Sequence, residues 1–263
     1  MSPLTESTRL TLAKTPGTGL DADAAAYIAA VEAADGQALE AGVRWNIDQF
    51  VRGCKADGIW TAIKASCILS GARTLSGALV PLVGTAPTNF NFVSGDYDRK
   101  TGLVGDGSTK YLDSNRATNA DPQNSFHLCV YASTLQTVPG VFAGAEGASR
   151  NTMYGNYGTT TNFALRQSTV NVVSTPALIP GTFAASRSSS TLITWIAGNY
   201  NGSVTAGSTL TPTGSMFIFA RNSGTKNHTD ARLSFFSMGE ALDLALLDSR
   251  ISTLITSNAL VIP

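Results

Sequence analysis

The stretch that most constrains the fold is Gly102 to Ser133. It opens as two short extended runs, Gly102-Leu103-Val104 and Lys110-Tyr111-Leu112, bent around Gly105-Asp106-Gly107. After a polar loop it resumes as Ser125 to Ser133, in which Phe126, Leu128 and Val130 alternate with His127, Cys129 and Tyr131. Strict alternation with turn residues on either side is the pattern of a strand. From about Ser70 onward, Gly, Ser, Thr and Asn separate short runs rich in Val, Leu, Ile and Phe. Strands are expected at 77–83, 89–93, 102–104, 110–112, 125–133, 140–143, 161–166, 170–173, 181–187, 191–197, 203–206, 216–220 and 232–238. Many short strands at this spacing predict a sandwich or barrel. Asn201-Gly202 between two such runs predicts the turn of a hairpin.

The chain has 263 residues, 43% of them hydrophobic, enough to bury a sizeable core. Only 14% are charged, against the usual quarter, and the formal net charge is +0. No Lys/Arg run is present, so binding to nucleic acid through phosphate neutralisation is not expected. No apolar run approaches the roughly 20 residues of a membrane-spanning helix, and no signal pattern opens the chain. The cysteines are three, Cys54, Cys67 and Cys129, each in an apolar pattern. They read as buried free thiols of a protein that folds in a reducing cytosol, not as a zinc or disulfide framework.

Before the strands the pattern is helical. Asp21 to Ala34 is alanine-rich, with Tyr27, Ile28 and Val31 as a narrow stripe and Asp21 or Asp23 as a cap. From about Gln37 to Asp57, Leu39, Val43, Ile47, Phe50 and Cys54 keep a helical period, with Gly58 as the stop. A shorter third helix is expected from Ile59, Trp60, Ile63 and Cys67. A closing helix is expected from Glu240 to Ser257, with Leu244, Leu247, Ile251 and Leu254 as its buried stripe. The expected organisation is a mainly β chain: an extended docking arm (1–20), a three-helix module (21–74) and a β-sandwich (75–263). Met1 to Gly19 has no apolar pattern beyond Leu10-Thr11-Leu12, so Leu10 and Leu12, with Tyr27 and Trp45, are the candidate docking residues.

The Gly-Asp-Gly-Ser-x-Lys-Tyr-Leu segment, strand 126–132, the hairpin at Tyr200-Asn201-Gly202 and the final strand leading into Ala241-Leu242 resemble the laminin-G-like and concanavalin A-like sandwiches. Residues 27–40, 53–60 and 79–84 resemble a module of virion proteins of tailed bacteriophages, where it stands beside such a sandwich. The resemblance implies a jelly roll of two antiparallel sheets in a structural virion protein. Its partners would be other capsid or tail proteins, as capsid decoration or a tail-fibre component, in a homo-oligomer. The alternative it leaves open is a receptor-binding adhesin that holds host-surface glycans.

Glycosidases of this sandwich class need two carboxylates close together. The chain has five glutamates, Glu6, Glu32, Glu40, Glu146 and Glu240, and neither of the two in the sandwich has an acidic residue two or four positions away. His127 and His228 have no nucleophile elbow to serve. The expectation is therefore a chain that is not an enzyme and holds no cofactor. Asp96, Asp98 and Asp106 could hold calcium, but their sequences are also ordinary turn chemistry. For glycan binding, aromatic rings beside amides are the candidate groups: Tyr154, Asn156 and Tyr157 in one expected loop, Asn199 and Tyr200 in another.

Overall fold

The computed structural model describes residues 19–147, 149–155, 160–210 and 213–263. Leu10 and Leu12 lie outside them, as do Asn156 and Tyr157. Asp21 caps α1 (Ala22–Asp35), its carboxylate accepting from the Asp23 N–H at 3.0 Å. Gly36, at φ 66°, ends it in the left-handed conformation that suits glycine. In α2 (Ala41–Ala56) the stripe Val43, Ile47, Phe50 and Cys54 is buried as its period requires.

The expected third helix is not formed. A 3-10 turn at Trp60–Ala62 leads into a strand, β1 (Ile63–Ile68), paired antiparallel with the last strand of the chain. Ala65 and Cys67 face the space between the sheets while Ile63 and Ile68 face the helices. Both faces of this strand are covered, so its apolar residues lose the alternation that would have marked it. The expected strand 77–83 is replaced by one helical turn, α3 (Leu75–Ala78), and a single bridge from Val83 to Ser66.

The remaining elements follow in order: β2 (Thr88–Phe90), β3 (Tyr97–Asp98), β4 (Gly102–Val104), β5 (Tyr111–Ala117), β6 (Phe126–Thr134), β7 (Gly140–Glu146), β8 (Arg150–Gly155), β9 (Thr160–Gln167), β10 (Asn171–Ser174), β11 (Gly181–Arg187), β12 (Leu192–Ala197), β13 (Tyr200–Thr205), β14 (Ser215–Ile218), β15 (Arg221–Asn222), β16 (Arg232–Gly239) and α4 (Leu244–Val261). They form two eight-stranded sheets, a sandwich as expected. The first runs β13-β12-β11-β6-β16-β4-β3, with β1 also on β16. The second runs β10-β9-β8-β7-β14-β5-β2, with β15 on β7. Among the described pairs only β15–β7 is parallel.

β6 lies in the middle of the first sheet and shows why. Phe126, Leu128 and Val130 enter the cluster between the sheets with Phe142, Phe163 and Phe183. Cys129 and Tyr131 face the other way, into a second cluster with α1, α2 and α4. The helices are therefore a third layer on the outer face of the first sheet, where Phe50 meets Phe235 edge-on at 5.7 Å. Leu244, Leu247, Ile251 and Leu254 of α4 are all at most 5% exposed, each worth about 2 kcal/mol of burial. Burial pushes the Cys54 thiol up to about 12 and the thiols of Cys67 and Cys129 higher still, so all three stay protonated.

Candidate functional site

β11, β12 and β13 form the free end of the first sheet. The turn between β12 and β13 is not at Asn201-Gly202, as the dipeptide predicts, but at Gly198-Asn199. The register pairs Ala197 with Tyr200, Trp195 with Gly202 and Ile193 with Val204. Gly198 takes φ 60°, the positive value needed at the first position of a tight hairpin loop. Gly202 is needed for space: a Cβ there would lie 2.8 Å from the Trp195 ring. Two glycines competed for one turn signal, and the pairing of Trp195 decided between them.

Alternation then sorts this end of the sheet. Trp195 turns inward, its ring 6.5 Å from that of Phe163. Thr194, Ile196, Asn201 and Ser203 turn outward, beneath the start of α4. That helix start is fastened down: the Ser186 hydroxyl donates to the Leu242 carbonyl at 2.9 Å, and the Ala241 N–H donates to Ser125 Oγ at 3.0 Å. Between the outward face and residues 241–248 lies a groove of about 840 Å³. Thr194, Asn199, Asn201, Ser203 and Asp243 are among its lining residues; Tyr200 borders it too, but its pairing with Ala197 puts its side chain on the Trp195 face of the sheet.

Arg187 holds this hairpin from behind. Its side chain is fully buried and donates to five neutral oxygens: the carbonyls of Leu165 (2.8 Å), Ser189 (3.3 Å), Ser190 (3.2 Å) and Ala206 (2.9 Å), and Gln167 Oε1 (3.2 Å). One cation thereby ties β9 of the second sheet to both ends of the β12–β13 hairpin. Burial lowers its pKa, although five well-placed oxygens offset part of that cost.

The electrostatics of the groove narrow its chemistry. Its lining carries two carboxylates, Asp243 and Asp248, and no Lys or Arg. Asp243 accepts from the N–H groups of Ala245 (2.8 Å) and Leu246 (3.3 Å), so the positive end of α4 is already capped from within. An anionic ligand would meet carboxylates and no counter-charge. A neutral ligand rich in hydroxyls would meet amides, hydroxyls and carboxylate acceptors. Sequence reasoning found Asn199 and Tyr200. It missed Thr194, Ser203 and Asp243, because they are joined by the sheet's pleat and by a helix 40 residues away in sequence. The signals present were the Thr194/Ile196 alternation and the Asp-x-x cap.

The second predicted loop is not joined to this site. Residues 150–155, expected as a loop from Met153, are β8, paired on both sides. Tyr154 lies on the second sheet, where its hydroxyl is 2.7 Å from Arg221, which also ion-pairs with Glu146. Tyr27 is 5% exposed and belongs to the helical core, with its phenol pushed up by burial, so it offers no surface for docking. Trp45 is 60% exposed beside a small cleft lined by Asn46, Gln49, Arg250, Thr253 and Ser257.

The three aspartates considered for calcium are not brought together. Asp96 pairs with Lys110 at 2.6 Å. Asp98 closes its own turn on Lys100 and Thr101, and Asp106 does the same on Ser108, Thr109 and Lys110. Among the described residues no group of three His, Cys, Asp or Glu is placed to hold a metal. His127 is buried, with Nδ1 2.6 Å from the Glu240 carbonyl and Nε2 3.0 Å from Ser237 Oγ. That geometry makes Nδ1 the donor and Nε2 the acceptor, a structural role. His228 lies against the Tyr111 ring at 5.9 Å. Among the described residues no helix is long and apolar enough to cross a membrane.

No family model matches the chain, nor does any curated protein sequence. Solved structures similar to it include the enzymatically active domain of tailspike protein 2 of bacteriophage CBA120, at 13% identity and TM-score 0.40, covering 68% of this chain and 30% of that one. Domain 4 of AbnA, a GH43 extracellular arabinanase of Geobacillus stearothermophilus solved with arabinotriose, has 14% identity and TM-score 0.38, over 64% of this chain and 82% of that one. A Trypanosoma rangeli sialidase has 12% identity and TM-score 0.40, over 83% and 40%. The chain thus spans less than a third of the length of the tailspike chain. The expectation of a chain that is not an enzyme is overturned by this set, which includes glycoside hydrolases, and no non-enzymatic role is assigned to the protein.

Proposed function

We propose that the chain is a virion-borne, concanavalin A-like sandwich that engages an uncharged host-surface glycan in the groove between the β12–β13 hairpin and the start of α4. The observation that carries this reading is the groove's polar set: amides, hydroxyls and two carboxylates, with no cation. Its volume falls in the range of small-ligand sites, and convergent uncharged hydrogen-bonding groups are what a sugar's hydroxyls need. The virion setting rests on the sequence resemblance of residues 27–40, 53–60 and 79–84. In this reading the arm (1–20) and the helix-bearing segment (21–74), with exposed Trp45, form the attachment side. Residues 75–263 then present the groove outward, at the capsid surface or on the tail.

A glycan array carrying neutral, sialylated and sulfated glycans tests the reading. Binding should be confined to neutral glycans and lost in Asn199→Ala and Asn201→Ala. Mass spectrometry of the bound glycans reports whether a glycosidic bond is cut. Binding only to anionic glycans, or binding that survives both substitutions, would refute the assignment of the groove. Quantitative mass spectrometry of purified particles tests the setting: no copies per particle would remove it.

A further inference from the structure

β13 closes one end of the first sheet, and all its pairs are with β12. The two-residue loop fixes which of its groups are used. Ala197 and Tyr200 flank the loop as a mutually bonded pair, so Trp195–Gly202 and Ile193–Val204 are bonded pairs as well. The Ala206 N–H to Thr191 carbonyl bond at 2.8 Å continues the same alternation. Asn201, Ser203 and Thr205 therefore point their N–H and C=O groups away from β12, and all three residues are exposed. Among the described residues nothing bonds to these groups.

Soluble proteins protect such edges with charge, proline, a bulge, short length or a covering segment. At the other ends of the two strand orders the edge is short, with 2 residues in β3, 3 in β2 and 4 in β10, and the 6-residue edge of β1 is covered by Leu82 and Val83, whose main chain bonds to Ser66. β13 has 6 residues, Tyr-Asn-Gly-Ser-Val-Thr, with no charge, no proline and an unbroken register. An edge left open in this way calls for an occupant.

From this we infer that β13 pairs antiparallel with β13 of a second copy of this chain across a two-fold axis, joining the two first sheets into one. The strand is complementary to itself. With the axis at Ser203, Ser203 faces Ser203 of the second copy, and Asn201 faces Thr205. Each of these three pairs exchanges two main-chain bonds, roughly six in all. On the inner side the second copy's Val204 lies beside Gly202, where it meets the Trp195 ring that covers that glycine. The formal net charge of +0 removes long-range repulsion between copies. The axis also has a consequence for the groove. Asn201 and Ser203 line it, so the second copy's Ser203 and Thr205 extend its floor and the two grooves become neighbours in one bivalent surface. The pairing itself does not rest on the glycan reading.

Sedimentation velocity across a concentration series tests the inference on the full chain. Ser203→Pro removes an N–H that points away from β12, so the ladder to β12 keeps its bonds. Ser203→Lys places two like charges face to face on the axis. The wild type should sediment as a dimer, and each variant should dissociate about ten- to a hundredfold more readily. Amide exchange at Asn201 and Thr205 should be slow in the dimer and fast in Ser203→Lys, while the circular dichroism spectrum is unchanged. If Ser203→Pro fails to fold, Ser203→Lys decides alone. A monomeric wild type overturns the inference, as does a dimer that Ser203→Lys leaves intact with Asn201 and Thr205 in fast exchange.

Discussion

Lowering the pH from 7 to 5 should cost this protein about 2 kcal/mol of stability, nearly all of it through His127. Burial of the ring lowers its pKa from the ordinary 6.5 to about 4. The Glu240 carbonyl, which accepts from Nδ1, and Asp121 act in the opposite direction, while Arg116 adds to the lowering. The folded pKa lies below the unfolded one, so the unfolded chain takes up the proton first. The contribution is therefore complete above pH 6.5, is lost as pH falls through the window, and loses no more below about 4. The full gap of about 2.5 units corresponds to roughly 3.4 kcal/mol at 1.36 kcal/mol per unit. By pH 5 the unfolded form is almost fully protonated and the folded form is not, which gives about 2 kcal/mol. The window also separates His127 from the carboxylates. Asp21, Asp57, Asp98, Asp106 and Asp230 have lowered pKa values and are half-protonated in the unfolded chain only at 3.8, and Glu40, also lowered, at 4.5, so most of their losses come below pH 5. Urea unfolding at several pH values, for wild type and His127→Asn, reads the effect as a difference in slope. The variant starts less stable at pH 7, having lost the bond to Ser237, but should be nearly flat down to pH 5. Parallel slopes in the two proteins would refute the argument.

Arg187→Met should lower stability by about 3 kcal/mol in urea unfolding, because it strands several buried carbonyls at once while sparing the cost of burying a cation. It should also loosen the β12–β13 hairpin, seen as faster amide exchange at Ile193 and Val204. Gly202→Ala should cost about 1 to 2 kcal/mol, since its methyl group would lie 2.8 Å from the Trp195 ring. The reading of Gly202 as a space requirement fails if this variant melts like wild type. Asp243→Ala should cost about 1 kcal/mol by uncapping α4, and Asp243→Asn should restore most of the loss, as measured by thermal melts.

What the sequence disclosed depended on how many faces of each element are covered. β6 was legible because its two faces meet different partners: large apolar side chains inward, smaller and polar ones toward the helices. α2 and α4 were legible because each buries a single stripe, and that stripe keeps its period. β1 was not legible, since a strand covered by a second sheet on one side and by helices on the other carries apolar residues throughout. In so short a run, Ile59, Trp60, Ile63 and Cys67 satisfy a helical spacing by coincidence. The groove was half legible for a related reason. Asn199 and Tyr200 announced themselves as a polar and aromatic loop, yet Thr194, half-buried, and Ser203, exposed, are open because the helical layer does not close over the outer face of β12 and β13. Under that layer the same positions would carry apolar residues, as Cys129 and Ala184 do. β13 supplies both the groove's Asn201 and Ser203 and the unpaired main-chain groups of Asn201, Ser203 and Thr205, so the site and the proposed pairing of two copies come from one strand. A chain that ended its first sheet one strand earlier would have neither.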